Sequence, residues 1–247
     1  MKDGTINLLW TSGWDSTFRL LDLLLVRSIP VQPYYIIDPG RRSLPMEIRT
    51  MGRIRRHLEN LFPDAVELLE PTIMCHVDEI PPDPEIREKL IRLRSRNHIG
   101  IQYEWLARFA RQFGPANLEI GIEKGPASLG VNWFLAGHLH FEEGTSGTGT
   151  WVLNESDRKT DLSLFQYFSF PLFGITKYRM REVAEVEGFL EIMNMTWFCL
   201  RPIFGRPCGL CHPCSIVMNV GLKDRIPMDA HFRYHLKDMT RSLFPHH

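Results

Sequence analysis

The fold of this chain is decided by residues 6–17, which read INLLWTSGWDST. The apolar run at 6–10 predicts a buried β-strand, and the small residues after it predict a tight turn. Residues 17–26 then carry apolar side chains at helical spacing. The segment therefore predicts a strand, a turn and a helix in that order.

A strand that runs through a small-residue turn into a helix is an arrangement that binds anions, because free backbone N–H groups and the positive end of the helix dipole face the ligand. Gly13 allows the backbone to approach a ligand closely. Asp15 is expected to orient the turn or to help hold Mg²⁺. The turn offers hydroxyl donors at Thr11, Ser12 and Ser16. Ordinary helix caps use the same residue types, so the local sequence leaves both interpretations open.

Strand and helix patterns continue to alternate after this segment. Residues 31–37 (VQPYYII) predict a second strand, 45–61 a helix with its arginines outward, and 66–70 a third strand. This order predicts an α/β fold in which helices flank a parallel sheet with right-handed crossovers. Later patterns predict helices at 84–93, 99–113 and 157–168, a strand at 117–123, a mobile Gly/Thr-rich loop at 138–160, and a helix from the N-cap Thr176 to Glu187.

The composition is that of an ordinary globular protein. The chain has 247 residues, of which 44% are hydrophobic and 23% are charged, and this length suits one α/β domain with a small appendage. It carries 29 basic and 29 acidic residues, so no overall excess of charge favours nucleic-acid binding. No apolar stretch is long enough to span a bilayer, and the first residues lack the pattern of a signal peptide. We therefore expect a cytoplasmic protein with no membrane partner.

Four of the five cysteines lie close together: Cys199, Cys208, Cys211 and Cys214. In a reducing compartment such a cluster indicates a metal site rather than disulfides. Four thiolates form the closed tetrahedral shell of a structural zinc ion. Residues 208–212 also spell the CxxCH of c-type haem attachment, but that interpretation leaves two of the four cysteines unused. An iron–sulfur cluster is a further alternative.

The turn at 11–16 resembles the pyrophosphate loop SGGxDS of the N-type ATP pyrophosphatases, with Thr11 at the leading serine and Ser12 at the first glycine. Together with the cysteine spacing, the chain resembles one branch of that group, the 7-cyano-7-deazaguanine synthase family. The other segments that resemble family motifs, in the same order, are DPGRRSLPME at 38–47, SRN at 95–97, FPLFGITKYRM at 170–180 and TWFC at 196–199. A family stretch that helps form the substrate side of the pocket, SGYPDCR, is matched here only at Asp157 and Arg158.

This resemblance implies a Rossmann-like domain of the adenine nucleotide α-hydrolase (HUP) type over residues 1–190, followed by a zinc-binding segment and tail over 191–247. It implies an ATP-dependent carbon–nitrogen ligase that uses Mg²⁺ and Zn²⁺. In this family a carboxylate, that of 7-carboxy-7-deazaguanine, attacks the α-phosphate of ATP and releases pyrophosphate. Ammonia then displaces AMP to give an amide, and a second adenylation dehydrates the amide to a nitrile. The implied pathway is queuosine biosynthesis, and the implied assembly is a homodimer.

The resemblance also implies roles for individual residues. Arg42 and Lys177 would neutralise phosphate oxygens, and Trp14 could stack on a base. The candidate residues are Thr11, Ser12, Gly13, Trp14, Asp15, Ser16, Arg96 and Asn97 for binding the nucleotide or substrate, Asp15, Ser16, Arg42 and Lys177 for catalysis, and Cys199, Cys208, Cys211 and Cys214 for zinc.

Two alternatives stay open at this point. The activated acyl group could pass to another amine, on a protein or a nucleic acid, as in an antiviral defence modification. The chain could also be a nucleotide-binding partner without catalysis. A nitrile product would indicate the first function, an amide or conjugate the second, and failure to form AMP the third.

Overall fold

The computed structural model describes residues 4–114, 117–124, 130–144, 148–220 and 222–243. Within these residues the chain is an α/β structure whose main sheet has five parallel strands in the order β3-β2-β1-β4-β7, beside an antiparallel pair, β5 and β6. The strands are β1 (Ile6–Leu9), β2 (Val31–Ile37), β3 (Ile73–His76), β4 (Leu118–Glu119), β5 (Leu139–Glu142), β6 (Thr150–Leu153) and β7 (Phe168–Ser169).

Helices connect these strands and cover the sheet. The first helix continues without a break into a π-helical turn at Asp22–Val26. The helices are α1 (Trp14–Leu21), α2 (Leu44–Leu61), α3 (Pro63–Val66), α4 (Pro84–Arg94), α5 (Gln102–Gln112), α6 (Val131–Leu135), α7 (Lys177–Val186), α8 (Leu190–Asn194), α9 (His212–Asn219) and α10 (Met228–Leu243). No helix among the described residues combines the length and the apolar character that crossing a membrane requires.

The core has two halves because successive side chains of a strand point to opposite faces of the sheet. Leu8 belongs to one buried apolar cluster and Leu9 to the other. The Leu8 cluster contains buried side chains of α1, α2 and α7, whereas the Leu9 cluster contains those of α4, α5 and the β5–β6 hairpin. The sheet is therefore covered on both faces, as parallel sheets generally are.

The C-terminal segment packs into the first of these clusters. Cys199, Val217 and Ala230 are buried together with Phe18 of α1. The predicted boundary near residue 190 thus lies between parts of the chain that share one apolar cluster, and the division into two units stays a prediction.

A buried ion pair joins α1 to the middle of the sheet. Arg19 donates to both carboxylate oxygens of Glu119 on β4, at 2.7 and 2.8 Å, and to Oδ2 of Asp22 at 2.9 Å. The side chains of Arg19 and Glu119 are 4% and 5% exposed. A bidentate pair of this kind is strong and directional, so it fixes the helix that begins at the predicted anion-binding turn.

Several sequence predictions are confirmed. The second strand has the predicted bounds, and α4 begins at Pro84. Thr176 is the N-cap of α7, since its hydroxyl oxygen accepts from the Arg179 N–H at 3.2 Å. Past the end of this helix, Gly188 adopts φ +77°, a left-handed conformation that favours glycine.

Three predictions about local structure are wrong. Residues 66–70 are not the third strand: Leu69 makes only a single bridge to Val31, and the strand follows at 73–76. The expected loop at 138–160 contains the β5–β6 hairpin, because its Gly/Thr-rich part is confined to the connection while the flanking residues pair. Residues 157–168 form short 3₁₀ turns at Glu155–Lys159 and Asp161–Phe165 instead of an α-helix.

Candidate functional site

The turn at 11–16 lies directly between β1 and α1. Gly13 is extended and precedes the first helical residue, and its carbonyl accepts from the Thr17 N–H at 3.0 Å. The Thr11 N–H donates to Oγ of Ser16 at 3.2 Å, so a hydrogen bond joins the first and last residues of the turn. The strand, turn and helix predicted from the sequence are therefore present in that order.

Ser12 occupies the most constrained position of this turn. It has φ +56°, in the left-handed region, and it is completely buried. An L-residue in this region costs about 1–2 kcal/mol, which explains why glycine suits such a position. The Ser12 carbonyl accepts from the Trp197 N–H at 2.9 Å, so a residue of the C-terminal segment holds the turn in this conformation.

Gly121 lies beneath the turn, just after β4. A Cβ atom at this position would lie 3.0 Å from the Ser16 nitrogen and 3.2 Å from the Asp15 carbonyl carbon. A side chain here would push against the first turn of α1. The close approach of the two segments therefore requires glycine, a residue that the sequence analysis did not single out.

Lys177 joins the turn to two other elements. Its ammonium lies 2.7 Å from Oδ1 of Asp15 and 2.6 Å from Oε1 of Glu123, which follows β4. Burial alone would lower the pKa of Lys177, but the charges of Asp15 and Glu123 outweigh it and the pKa is raised. Burial also raises the pKa of Glu123, against the opposing effect of Lys177. This cluster places one cation and two carboxylates beside the turn.

A cavity of about 370 Å³ opens over the turn, within the range of about 300–1,000 Å³ that small-molecule sites occupy. It combines residues from the N-terminal turn with residues from the cysteine-containing C-terminal segment. Its walls include Thr11, Gly13, Trp14, Asp15, Arg41, Glu47, Gln102, Lys177, Trp197, Phe198, Leu200, Pro213 and Arg225.

The position of the cavity follows from the strand order. The chain builds β1, β2 and β3 outward in one direction and then returns to add β4 on the other side of β1. Residues just after β1 and β4 therefore meet at the point where the strand order reverses. Open α/β sheets bind their ligands at such a point.

Two neighbouring arginines differ in whether they line the cavity over the turn. Arg41 lines the cavity over the turn and donates to the buried Glu47 at 2.6 Å. Arg42, predicted from the sequence, is exposed and lines an adjoining cavity of about 390 Å³ together with Arg201. The walls of both cavities include Arg41, Gln102 and Leu200, so the two cavities adjoin each other.

The structure does not bring Arg96 and Asn97 into either of these cavities. Arg96 is exposed after the end of α4, and the Asn97 side chain donates to the Leu93 carbonyl at 3.2 Å. Their roles in ligand binding stay predictions.

The four clustered cysteines converge on one point. All four sulfurs lie within 4.8 Å of one another; the pairs Cys208–Cys214 and Cys199–Cys211 are both 3.9 Å apart, and the pair Cys211–Cys214 is 3.4 Å apart. A tetrahedral zinc ion with bonds of about 2.3 Å would separate its sulfur ligands by about 3.8 Å. The cluster could therefore hold a metal ion, and its donor set and spacing are compatible with zinc.

The backbone around the cluster also suits a metal bound by thiolates. The Cys208 N–H donates to the sulfur of Cys199 at 3.2 Å, and the Leu210 and Cys211 N–H groups each donate to the sulfur of Cys208 at 3.3 Å. Hydrogen bonds with Cys199 and Cys211 raise the pKa of Cys214, and burial and the charges of these two neighbours act in the same direction. Gly209 forms the tight turn with φ +76°, and a Cβ atom there would lie 2.2 Å from the Ala230 carbonyl oxygen.

The sequence analysis missed Glu123 and Arg225. Glu123 closes the predicted strand at 117–123, so its place beside the turn could have been found from the rule that strand ends meet at one edge of a parallel sheet. Nothing in the local sequence of Arg225 indicates that it lines the cavity. Its position depends on how the C-terminal segment folds back over α1.

Neither models of protein families nor the sequences of curated proteins match this chain. Its function therefore has to be inferred from the cavity, the ion cluster and the cysteine cluster.

Proposed function

We propose that this chain is an ATP-dependent carbon–nitrogen ligase, which adenylates a carboxylate and then transfers nitrogen to it, releasing AMP and pyrophosphate. The observation that carries the proposal is the turn at 11–16 at the reversal of strand order, with Lys177 bonded to Asp15. The proposal includes the HUP type of Rossmann-like fold and the resemblance of the turn to a pyrophosphate loop.

Adenylation needs little covalent work from the protein, since the carboxylate itself attacks the α-phosphate. The rate then depends on positioning the two reactants and on stabilising the charge that develops on the phosphate oxygens. In our proposal the N–H groups at the start of α1 hold the pyrophosphate portion of ATP. Lys177 and Arg41, which line the same cavity, neutralise phosphate oxygens, and Arg42 acts from the adjoining cavity.

Asp15 and Glu123 supply carboxylate oxygens of the kind that Mg²⁺ prefers, and Mg²⁺ commonly binds through one or two carboxylates together with substrate phosphates. Both carboxylates already contact a cation, the ammonium of Lys177. We propose that these two side chains hold the Mg²⁺ that accompanies ATP, whose charge neutralises the phosphate oxygens.

We propose 7-carboxy-7-deazaguanine as the carboxylate and ammonia as the nitrogen donor, in agreement with the resemblance of the ordered motifs. One observation favours a different amine acceptor. Asp157 lies 3.1 Å from Nδ1 of His138, and Arg158 pairs with Glu155. Neither residue lines the cavity over the turn, so the only matches to the family's substrate stretch stay within the hairpin region.

The test is to incubate the purified, metal-replete protein with ATP, Mg²⁺, ammonium and 7-carboxy-7-deazaguanine, and to measure AMP, pyrophosphate and the deazaguanine product. Nitrile would support the family reaction. Amide or a protein or nucleic-acid conjugate would support the different acceptor. ATP binding without AMP formation, with this and other carboxylates, would show a nucleotide-binding partner without catalysis.

A further inference from the structure

Arg225 reaches the cavity from the C-terminal segment. It ends the 3₁₀ turn Lys223–Arg225, and its guanidinium donates to the backbone carbonyl of Thr196 and, at 2.7 Å, to the Thr196 hydroxyl. The guanidinium carbon lies 5.0 Å from the ring centroid of Trp14 and 5.1 Å from that of Phe198. These two rings and one threonine therefore fix the position of the cation.

No carboxylate among the described residues lies within ion-pair distance of Arg225. The Nε atom of Arg225 is buried and has no hydrogen-bond partner among the residues that the structure describes. Burial lowers the pKa of Arg225 to about 10, and the charge of the adjacent Asp224 opposes this shift only in part. Arg19 differs from Arg225 in this respect, because Glu119 and Asp22 neutralise its buried guanidinium. A partly buried cation without an ion-pair partner carries a desolvation cost, and an anion that enters beside it removes much of that cost.

The surroundings of Arg225 offer room for such an anion. Arg225 and Trp14 both line the cavity of about 370 Å³ over the turn. Trp14 is 5% exposed, and its indole Nε1 is likewise a buried donor without a partner among the described residues. Two residues that each carry an unsatisfied donor thus line one cavity, at the start of a helix whose dipole also favours negative charge.

We propose that Arg225 binds an oxyanion of the ligand, a carboxylate or phosphate group, and that the cysteine-containing segment therefore forms part of the ligand site. The indole N–H of Trp14 is the second donor to this group. This inference rests on the proposed function for the identity of the ligands. The inference does not depend on turnover, because it concerns only the contact between Arg225 and a bound ligand.

The test is calorimetric titration of the full metal-replete chain with three probes: Mg·ATP, inorganic pyrophosphate and 7-carboxy-7-deazaguanine. Losing a hydrogen-bonded ionic contact weakens binding by about 10- to 100-fold. We expect Arg225→Gln to weaken at least one probe by this factor and Arg225→Lys, which keeps the charge, to weaken it less. The matched control is Arg179→Gln, since Arg179 is an exposed arginine paired with Glu182.

The pattern of loss identifies the oxyanion. Weaker binding of pyrophosphate and ATP assigns Arg225 to phosphate, whereas weaker binding confined to the deazaguanine assigns it to the carboxylate. Equal affinities in wild type and both variants overturn the inference, as does a wild-type chain that binds none of the probes. If Arg225→Gln loses metal or fails to fold, Arg225→Lys and Trp14→Phe carry the test.

Failure of the proposed function gives a different result. A chain that forms no AMP but loses pyrophosphate affinity in Arg225→Gln retains the anion site and lacks the adenylation. A chain that forms AMP with unchanged affinities and rates in Arg225→Gln retains the adenylation and lacks the anion site.

Discussion

The ammonium of Lys177 lies 2.7 Å from Oδ1 of Asp15, although 162 positions separate the two residues in the sequence. Lys177 begins α7 and Asp15 lies in the first turn of α1, so this contact joins two helix N-termini at one cavity. The same ammonium contacts Glu123 after β4. Three separate segments therefore meet at one charged group.

Replacing Lys177 with methionine is expected to lower AMP formation by about 100- to 1,000-fold, because a positioned charge that stabilises the transition state is lost. The measurement is AMP release under saturating ATP. Lys159→Met removes a cation from an exposed turn residue and should leave the rate unchanged. Unchanged AMP formation in Lys177→Met would remove this residue from the proposed machinery.

Gly121→Ala tests the close approach beneath the turn. The new Cβ would lie 3.0 Å from the Ser16 nitrogen, so the start of α1 must shift. We expect weaker binding of ATP and a loss of about 1–3 kcal/mol in the free energy of unfolding, as for other overpacked sites. Gly137→Ala is the control, because an added Cβ there meets no atom within 4 Å. Equal ATP affinities in the two variants would contradict the expectation.

Glu119→Gln tests the buried ion pair between β4 and α1. It removes the negative charge and one of the two oxygens that accept from Arg19, and breaking a buried pair costs up to about 3–5 kcal/mol. Urea unfolding measures the loss. The comparison is Glu182→Gln in the exposed pair with Arg179, for which we expect a change of about 0–1 kcal/mol. Similar losses in both variants would mean that the buried pair adds no special stability.

The raised pKa of Glu123 predicts a pH-dependent term in stability. The folded chain holds this proton more tightly than the unfolded chain, so the free energy of unfolding falls as the pH rises from the ordinary value of 4.5 through the raised pKa. Glu123→Gln removes this titration. The difference in unfolding free energy, wild type minus variant, should become smaller as the pH rises through that window. A difference that grows or stays constant would indicate a pKa at or below 4.5.

Cys208→Ser should abolish metal binding, which we expect at one ion per chain by elemental analysis. Structural zinc can contribute roughly 10–16 kcal/mol of apparent binding energy in small modules, so the C-terminal segment should lose its structure before the sheet does. Cys75→Ser is the control, since Cys75 lies outside the cluster. Protein that is purified without chelator and carries no metal would contradict the prediction.

The sequence predicted most of the structural features that depend on neighbouring residues, such as helix starts and caps. The helix at Pro84 and the cap at Thr176 depend on neighbouring residues, so they could be read from the sequence alone. The third strand was misplaced because the apolar side chains of 66–70 pack without forming a strand, whereas β3 carries two exposed apolar residues, Ile73 and Met74. A rule that places apolar residues in the protein interior therefore favours residues 66–70 over 73–76 as the third strand.

Local sequence patterns likewise predicted some residues of the candidate site and missed others. The turn and the four cysteines were found because each is a short pattern with its own chemistry. Glu123, which pairs with Lys177, was missed although its place at the end of a predicted strand indicates it, whereas tertiary packing alone brings Arg225 to the cavity. The choice of Arg42 over Arg41 shows the limit of motif matching, since Arg41 lines both neighbouring cavities and Arg42 lines only the one farther from the turn.

Arg225 lies opposite Trp14 in one cavity, and the order of synthesis gives this arrangement a further meaning. Every strand of the main sheet precedes residue 170, so all of these strands are synthesised before Arg225. One wall of the cavity would still be missing at that stage. In our proposal, the contact between Arg225 and the oxyanion is therefore acquired only late in translation.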